Sequence, residues 1–213
     1  MNLVLHDYWR SSAAYRVRIA LNLKGLDYAQ ISHDLRKGAQ RDPAYVALNP
    51  LGRVPMLDAD GLMLTQSLAI IEWLEETHPK PPLLPGTANE RAIVRAMAQL
   101  VACDIHPLNN LAVLQTLRRR FDADEEAVNA WIAHWIAQGF GALETMIARH
   151  GGTFAFGEAP TMADCCVVPQ LYSARRFGVD LRKFPRIVAV GEACAALHTF
   201  DAADPARQPD ADP

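Results

Sequence analysis

Apolar residues in the first 78 positions fall into short blocks, and each block has a recognisable period. Leu3-Val4-Leu5 predicts a strand over Leu3–Asp7, and Ser12–Lys24 follows helical spacing until Gly25 stops it. A second strand is expected over Ala29–His33, and a short helix over Pro43–Leu48, ended by Asn49-Pro50. Val54-Pro55-Met56-Leu57 and Leu62-Met63-Leu64 flank Asp60-Gly61, a hairpin signal. Ser67–Thr77 returns to helical spacing through Leu68, Ile71 and Leu74. The resulting order is βαβαββα, an α/β sandwich with one parallel crossover and one hairpin.

Four prolines between Pro79 and Pro85 mark a stiff linker and a domain boundary. We place a first domain at 1–82 and a second at 88–213. Beyond the linker no strand pattern survives, so the second domain is expected to be all helical. A long helix is predicted over 89–120 with a kink at Pro107, then one from Asp122/Asp124 through Arg149. Thr161-Met162-Ala163-Asp164 reads as a capping box opening a third helix, and Pro185 lies in the first turn of a fourth. Trp131, Trp135 and Phe140 have helical spacing and read as packing. Residues 201–213, rich in Asp, Ala and Pro, read as a loose tail.

Half of the 213 residues are hydrophobic and 21% are charged, enough for a substantial core. A net charge of -3, with acid and base balanced along the chain, argues against nucleic-acid binding. No apolar run is long enough to span a membrane, and Met1–Leu5 leads straight into polar residues without a signal-peptide pattern. Cys103, Cys165, Cys166 and Cys194 match neither a CxxC pair nor a zinc site, and are expected to be reduced thiols in a cytoplasmic protein. His6, His33 and His106 lie far apart in sequence without metal-ligand spacing, so no metal is expected.

Arg10-Ser11-Ser12 stands where the first helix begins, and a helix N-terminus favours anions such as a thiolate. No cysteine precedes Cys103, so a thiolate at this turn must arrive on a ligand. If Val54–Pro55 is cis, the Val54 backbone faces outward and can pair with an extended peptide; an ordinary trans proline is the alternative. Ser67 is either a plain N-cap or, with Gln66, part of a carboxylate site at the next helix start. Two helix starts with Val54 between them would take a thiolate, a peptide backbone and an α-carboxylate. Glutathione carries all three.

These features, in collinear order, resemble a cytosolic glutathione transferase: a thioredoxin-like half, the Pro55 turn, Gln66-Ser67 and a helical second half. More narrowly, Ser11-Ser12, Arg16-Val17-Arg18-Ile19-Ala20-Leu21, Ala47-Leu48-Asn49-Pro50, Gln66-Ser67-Leu68-Ala69-Ile70-Ile71-Glu72, Ile105-His106-Pro107-Leu108-Asn109-Asn110-Leu111 and Val168-Pro169-Gln170 resemble the zeta class. That class includes maleylacetoacetate and maleylpyruvate isomerases. The resemblance implies a cis Val54–Pro55 bond and a homodimer. It also implies that Ser11 faces the glutathione sulfur with Ser12 in support, that Val54 pairs with the cysteinyl backbone, and that Gln66 and Ser67 bind the γ-glutamyl end. Gln40 would lie near the glycyl end, and His106 and Asn110 would reach the ligand. Arg10 and Arg176 would bind a dicarboxylate substrate. Thr161 and Asp164 are assigned to folding.

The implied activity is a glutathione-dependent cis–trans isomerisation in aromatic amino acid catabolism, converting maleylacetoacetate to fumarylacetoacetate. The same chemistry on maleylpyruvate, a conjugating transferase and a non-catalytic binder are the alternatives. Ala13 stands where the class commonly has Cys, which argues against chemistry that needs that thiol.

Overall fold

The computed structural model describes residues 2–212. The chain forms two compact units, one of Met1–Leu83 with Ala195–Pro213 and one of Leu84–Cys194.

The first unit contains β1 (Leu3–Asp7), α1 (Ser12–Leu23), β2 (Ala29–Ser32), α2 (Pro43–Leu48), β3 (Met56–Ala59), β4 (Leu62–Thr65) and α3 (Ser67–Thr77). Its sheet has the order β2-β1-β3-β4, with β1 parallel to β2 and the β3–β4 hairpin antiparallel. Asp60 and Gly61 turn the hairpin at positive φ, and the Asp58 carboxylate accepts the Gly61 N–H at 2.7 Å. α1 and α3 pack together, burying Val17, Ile19, Leu21, Ile70, Ile71 and Leu74 with Leu5 and Leu57 of the sheet. The end of α1 is tied to α3 and the proline linker by Lys24, whose ammonium meets Glu75 at 2.6 Å and the Pro81 carbonyl at 2.7 Å.

His6 lies one residue beyond Leu5 and so on the other face of the sheet. The parallel register brings His33 beside it: His6 Nδ1 and His33 Nε2 are 2.9 Å apart, and the His33 ring lies 4.1 Å from that of Tyr45 on α2. The sequence separation of these histidines therefore misled; strand pairing makes them partners.

The C-terminal segment corrects the expected boundary at 88–213 and the expected loose tail. Its residues belong to the first unit because polar groups there find partners on it. Arg18, fully buried, donates from Nη1 to both Asp7 carboxylate oxygens at 2.9 and 2.8 Å, from Nη2 to the Trp9 carbonyl at 2.9 Å, and from Nε to the Ala203 carbonyl at 3.0 Å. Asn22 donates to the Thr199 carbonyl, Gln30 to Gln208, and the Trp9 N–H to Asp210. A short helix, α9 (His198–Asp201), lies in this segment and lacks the length to leave a periodic signature.

The second unit contains α4 (Ala88–Gln99), α5 (Leu111–Phe121), α6 (Glu125–His150), α7 (Met162–Arg176) and α8 (Pro185–Ala195), the last residue of α8 falling to the first unit. No helix among the described residues is long and apolar enough to cross a membrane. The single helix expected over 89–120 is two. α4 widens into a π segment at Leu100–Ile105, tightens into a 3₁₀ turn at His106–Asn109, and restarts at Leu111. Pro107 lacks the N–H needed to carry α-helical bonding through. Gly139 of α6 packs directly on Ile105 of the π segment, at a distance that a Cβ would not permit.

Thr161 and Asp164 form the expected capping box at the start of α7. Asp164 is fully buried, accepts N–H bonds from Thr161 at 2.7 Å and Ala155 at 2.8 Å, and its carboxyl is pushed up to about 6 by burial.

Arg18→Met would leave the Asp7 carboxylate buried without its cation, and is expected to cost about 3–5 kcal/mol of stability in urea unfolding. The His pair supplies a pH dependence. Burial lowers both pKa values below the usual 6.5, so the unfolded chain takes up protons first as pH falls. Stability present above 6.5 is therefore lost below it. Unfolding free energy should drop between pH 7.5 and 5.5, with a shallower drop in His33→Gln.

Candidate active site

Ser11 is the N-cap of α1: its Oγ accepts the Ala14 N–H at 3.2 Å, leaving the hydroxyl hydrogen free to donate. The turn before it is closed by Ser11 N–H to the Tyr8 carbonyl at 2.8 Å. Ser12 is the first helical residue, and N–H groups at such a position have no intrahelical acceptor. Arg10 places its guanidinium 5.1 Å over the Trp9 ring.

Val54 is 8% exposed, and the Val54–Pro55 bond is cis. Among the described residues neither the Val54 N–H nor its C=O has a hydrogen-bond partner. The carbonyl just before it is well held: Arg53 O accepts from Tyr45 Oη at 2.6 Å and from Asn49 Nδ2 at 2.6 Å. A buried residue with both backbone groups open is suited to pairing with an extended ligand.

The start of α3 differs from expectation. Gln66, not Ser67, is the N-cap; it has φ 68° and makes no side-chain cap bond. Ser67 is the first helical residue, and its Oγ accepts from Arg16 Nη1 at 3.2 Å. That bond leaves the Ser67 hydrogen free and brings a buried guanidinium beneath the helix start. With no cap on this end, the N–H groups of the first turn are available to an anion. Positive φ at a non-glycine residue costs on the order of 1–3 kcal/mol, and its presence at a candidate ligand site fits a functional constraint.

Gln40 approaches this region through the backbone. Its carbonyl packs against Gly52, which has φ 57° and no room for a Cβ, while its Oε1 is buried with no partner among the described residues. An orphaned acceptor, an open backbone pair and an uncapped helix start are the features glutathione would need, so this unit's residues fit that ligand.

In the second unit, Asn110 caps α5 by accepting the Val113 N–H at 3.0 Å, and His106 opens the 3₁₀ turn. Arg176 ends α7, exposed, with its guanidinium 4.7 Å over the Phe177 ring. Tyr8, Trp9, Asn109 and Trp135 are not among the site residues that the sequence suggests, and Trp135 reads there as packing. Each has a buried side-chain polar atom without a partner among the described residues. Tyr8 and Trp9 could have been found from their place immediately before Arg10-Ser11. Among the described residues no group of three or more His, Cys, Asp or Glu is arranged to hold a metal.

The glutathione S-transferase N-terminal domain family matches residues 1–76, and its C-terminal domain family matches residues 125–206. The chain belongs to the glutathione transferase family. Among its relatives, maleylpyruvate isomerase of Ralstonia sp is 51% identical over 208 residues, covering 97% of this chain and 98% of the relative. Maleylacetoacetate isomerase of Pseudomonas aeruginosa is 52% identical over 209 residues, covering 97% of each. A bacterial zeta-class maleylpyruvate isomerase in its holo form superposes with a TM-score of 0.96 at 50% identity, covering 98% of this chain and all of that one. Maleylacetoacetate isomerase of Anaeromyxobacter dehalogenans, with dicarboxyethyl glutathione and citrate bound in its active site, gives 0.90 at 48% identity, covering 100% and 98%.

Gln66→Gly relieves the positive φ, so unfolding free energy should stay level or rise by up to about 1 kcal/mol. Glutathione affinity, measured by calorimetry, should fall at the same time.

Proposed function

We propose that the protein is a glutathione-dependent cis–trans isomerase of maleyl dicarboxylates. Maleylacetoacetate, giving fumarylacetoacetate, is the leading substrate, and maleylpyruvate is the alternative. The glutathione half of this reading is carried by Val54, a buried residue whose backbone N–H and C=O are both open to a peptide-like ligand. The isomerase half is supported by relatives of both names at about equal identity. It gains weight from the dicarboxyethyl glutathione in the Anaeromyxobacter dehalogenans structure, a thioether that joins the glutathione sulfur to a four-carbon dicarboxylate.

Bound glutathione would supply a thiolate able to add reversibly to the maleyl double bond, so that it would act without being consumed. The chain's own work is to hold and polarise. Ser11 donates its hydroxyl hydrogen to the sulfur and Ser12 supports it, with the α1 N-terminus adding partial positive charge. Val54, beside Pro55, pairs with the cysteinyl backbone. Gln66, Ser67 and the first turn of α3 take the γ-glutamyl carboxylate and Gln40 the glycyl end, and His106 and Asn110 are the further ligand contacts that the zeta-class resemblance implies. Arg10 and Arg176 bind the substrate's carboxylates.

On this reading residues 1–82 form the glutathione-binding domain and the helical unit beyond residue 88 contributes substrate binding. A cytoplasmic homodimer acting in aromatic amino acid catabolism goes with it. Four cysteines without a disulfide favour a reducing compartment, and exposed Leu48 and Leu51 offer apolar surface for a second copy.

Maleylacetoacetate and maleylpyruvate, each generated enzymatically, should lose their cis absorbance only when glutathione is present, with free thiol unchanged. Loss of thiol would indicate a conjugating transferase instead. Ser11→Ala should lower kcat on the order of a hundredfold, as loss of one aimed donor does elsewhere. Arg10→Met should raise the substrate KM with little change in glutathione affinity.

A further inference from the structure

The backbone around the Ser11 turn is held by residues from the far end of the chain. The Trp9 N–H donates to Asp210 Oδ2 at 3.1 Å, and the Trp9 carbonyl accepts from Arg18, which also holds the Ala203 carbonyl. The N–H of a residue two positions before Ser11 is thus held by the C-terminal segment, and its carbonyl by an α1 guanidinium that also binds that segment. Asp210 is itself anchored, since the Ser32 hydroxyl on β2 donates to the same oxygen.

The segment is built rather than draped. Gln208 is 7% exposed; its Nε2 donates to the Ala202 and Asp204 carbonyls at 3.0 and 2.8 Å, and its Oε1 accepts from Gln30 on β2 at 3.0 Å. Asp212 pairs with the Arg36 guanidinium, which also holds Asp34. The Ala211 N–H returns to the Gln208 carbonyl at 3.0 Å.

We propose that residues 203–212 form a strap that fixes the catalytic turn, with Asp210 as a positioning residue for the Ser11 hydroxyl. The inference rests on the assignment of Ser11 to the glutathione sulfur. A donor aimed at a thiolate acts only over hydrogen-bond distance, so a small shift of the turn weakens it steeply. Val54, Gln66 and Ser67 are not bonded to the strap, so glutathione should still bind when Asp210 is lost. The expected signature is a defect in thiolate stabilisation separated from affinity.

The test compares Asp210→Ala, Asp210→Asn and Ser32→Ala with the unaltered chain. Asn keeps an oxygen that can accept the Trp9 N–H; Ala does not. In Asp210→Ala, Trp9 amide exchange in the ligand-free protein should accelerate tenfold or more, about what loss of one held hydrogen bond allows. The pKa of bound glutathione, read from ultraviolet thiolate absorbance, should rise by about half a unit and kcat should fall roughly threefold to tenfold. The glutathione Kd should stay within about twofold, inside the range of an untouched binding contact. Asp210→Asn should restore all three readouts, and Ser32→Ala should move them in the direction of Ala by less.

Unchanged Trp9 exchange and thiolate pKa in Asp210→Ala would overturn the proposal. So would an Asn variant that behaves like Ala, or a lower melting temperature with an unmoved thiolate pKa. If the unaltered chain isomerises neither maleyl substrate while Asp210→Ala still raises the thiolate pKa, the strap stands and the isomerase reading falls.

Discussion

The buried Arg18–Asp7 pair is the interaction on which the first unit turns. A guanidinium with no exposed surface is tolerable only when its donors are well occupied, and here three nitrogens reach a carboxylate and two carbonyls. Those acceptors come from three places: the end of β1, the turn leading to Ser11, and the returning C-terminus. One desolvated cation thereby joins strand, turn and tail. Asp7 is equally committed, since it also accepts the Tyr8 N–H at 2.6 Å and a Gln30 amide hydrogen at 3.0 Å. Breaking any member exposes the rest to an uncompensated charge.

From that hub the site's logic is one of deliberately open polar groups beside closed ones. The Arg53 carbonyl is doubly held, while Val54 next to it is bare. Ser67 accepts from Arg16 and keeps its hydrogen, and Ser11 accepts from Ala14 and keeps its own. In both serines the acceptor role is filled from within the protein and the donor role is left open. An anionic peptide carrying a thiol is the complementary partner. Arg16 has a structural part of a specific kind: its Nη1 holds the Ser67 hydroxyl oxygen at the start of α3.

Much of this was legible in the sequence because local rules govern it. The β1–α1 turn, the Asp60-Gly61 hairpin, the Thr161–Asp164 box and the break at the prolines all declare themselves through residues within a few positions of each other. What stayed hidden depends on partners far along the chain. His33 becomes a partner of His6 only through parallel register, and no spacing rule encodes that. The π segment at Leu100–Ile105 has an ordinary helical composition, and only the close approach of Gly139 to Ile105 and the stop at Pro107 explain it. The Asp-, Ala- and Pro-rich end looks unstructured because its short polar side chains bond to backbone groups of distant elements, a pattern that composition cannot register. At the site, the motif residues Ser11, Val54 and Gln66 were visible, but the exchange of roles between Gln66 and Ser67 at the helix start was not.

The return of the C-terminus to the first unit also bears on biosynthesis. Trp9 and its acceptor Asp210 are separated by 201 positions. A ribosome emits β1, α1 and the hairpin early, and the acceptors at Ala203 and Asp210 follow only after the whole helical unit has been made. The unit that emerges first is therefore completed last, after the intervening helical unit has had time to fold. Such long loop closure slows assembly, and it leaves the nascent β1–α1 turn unclamped until residues 203–210 emerge.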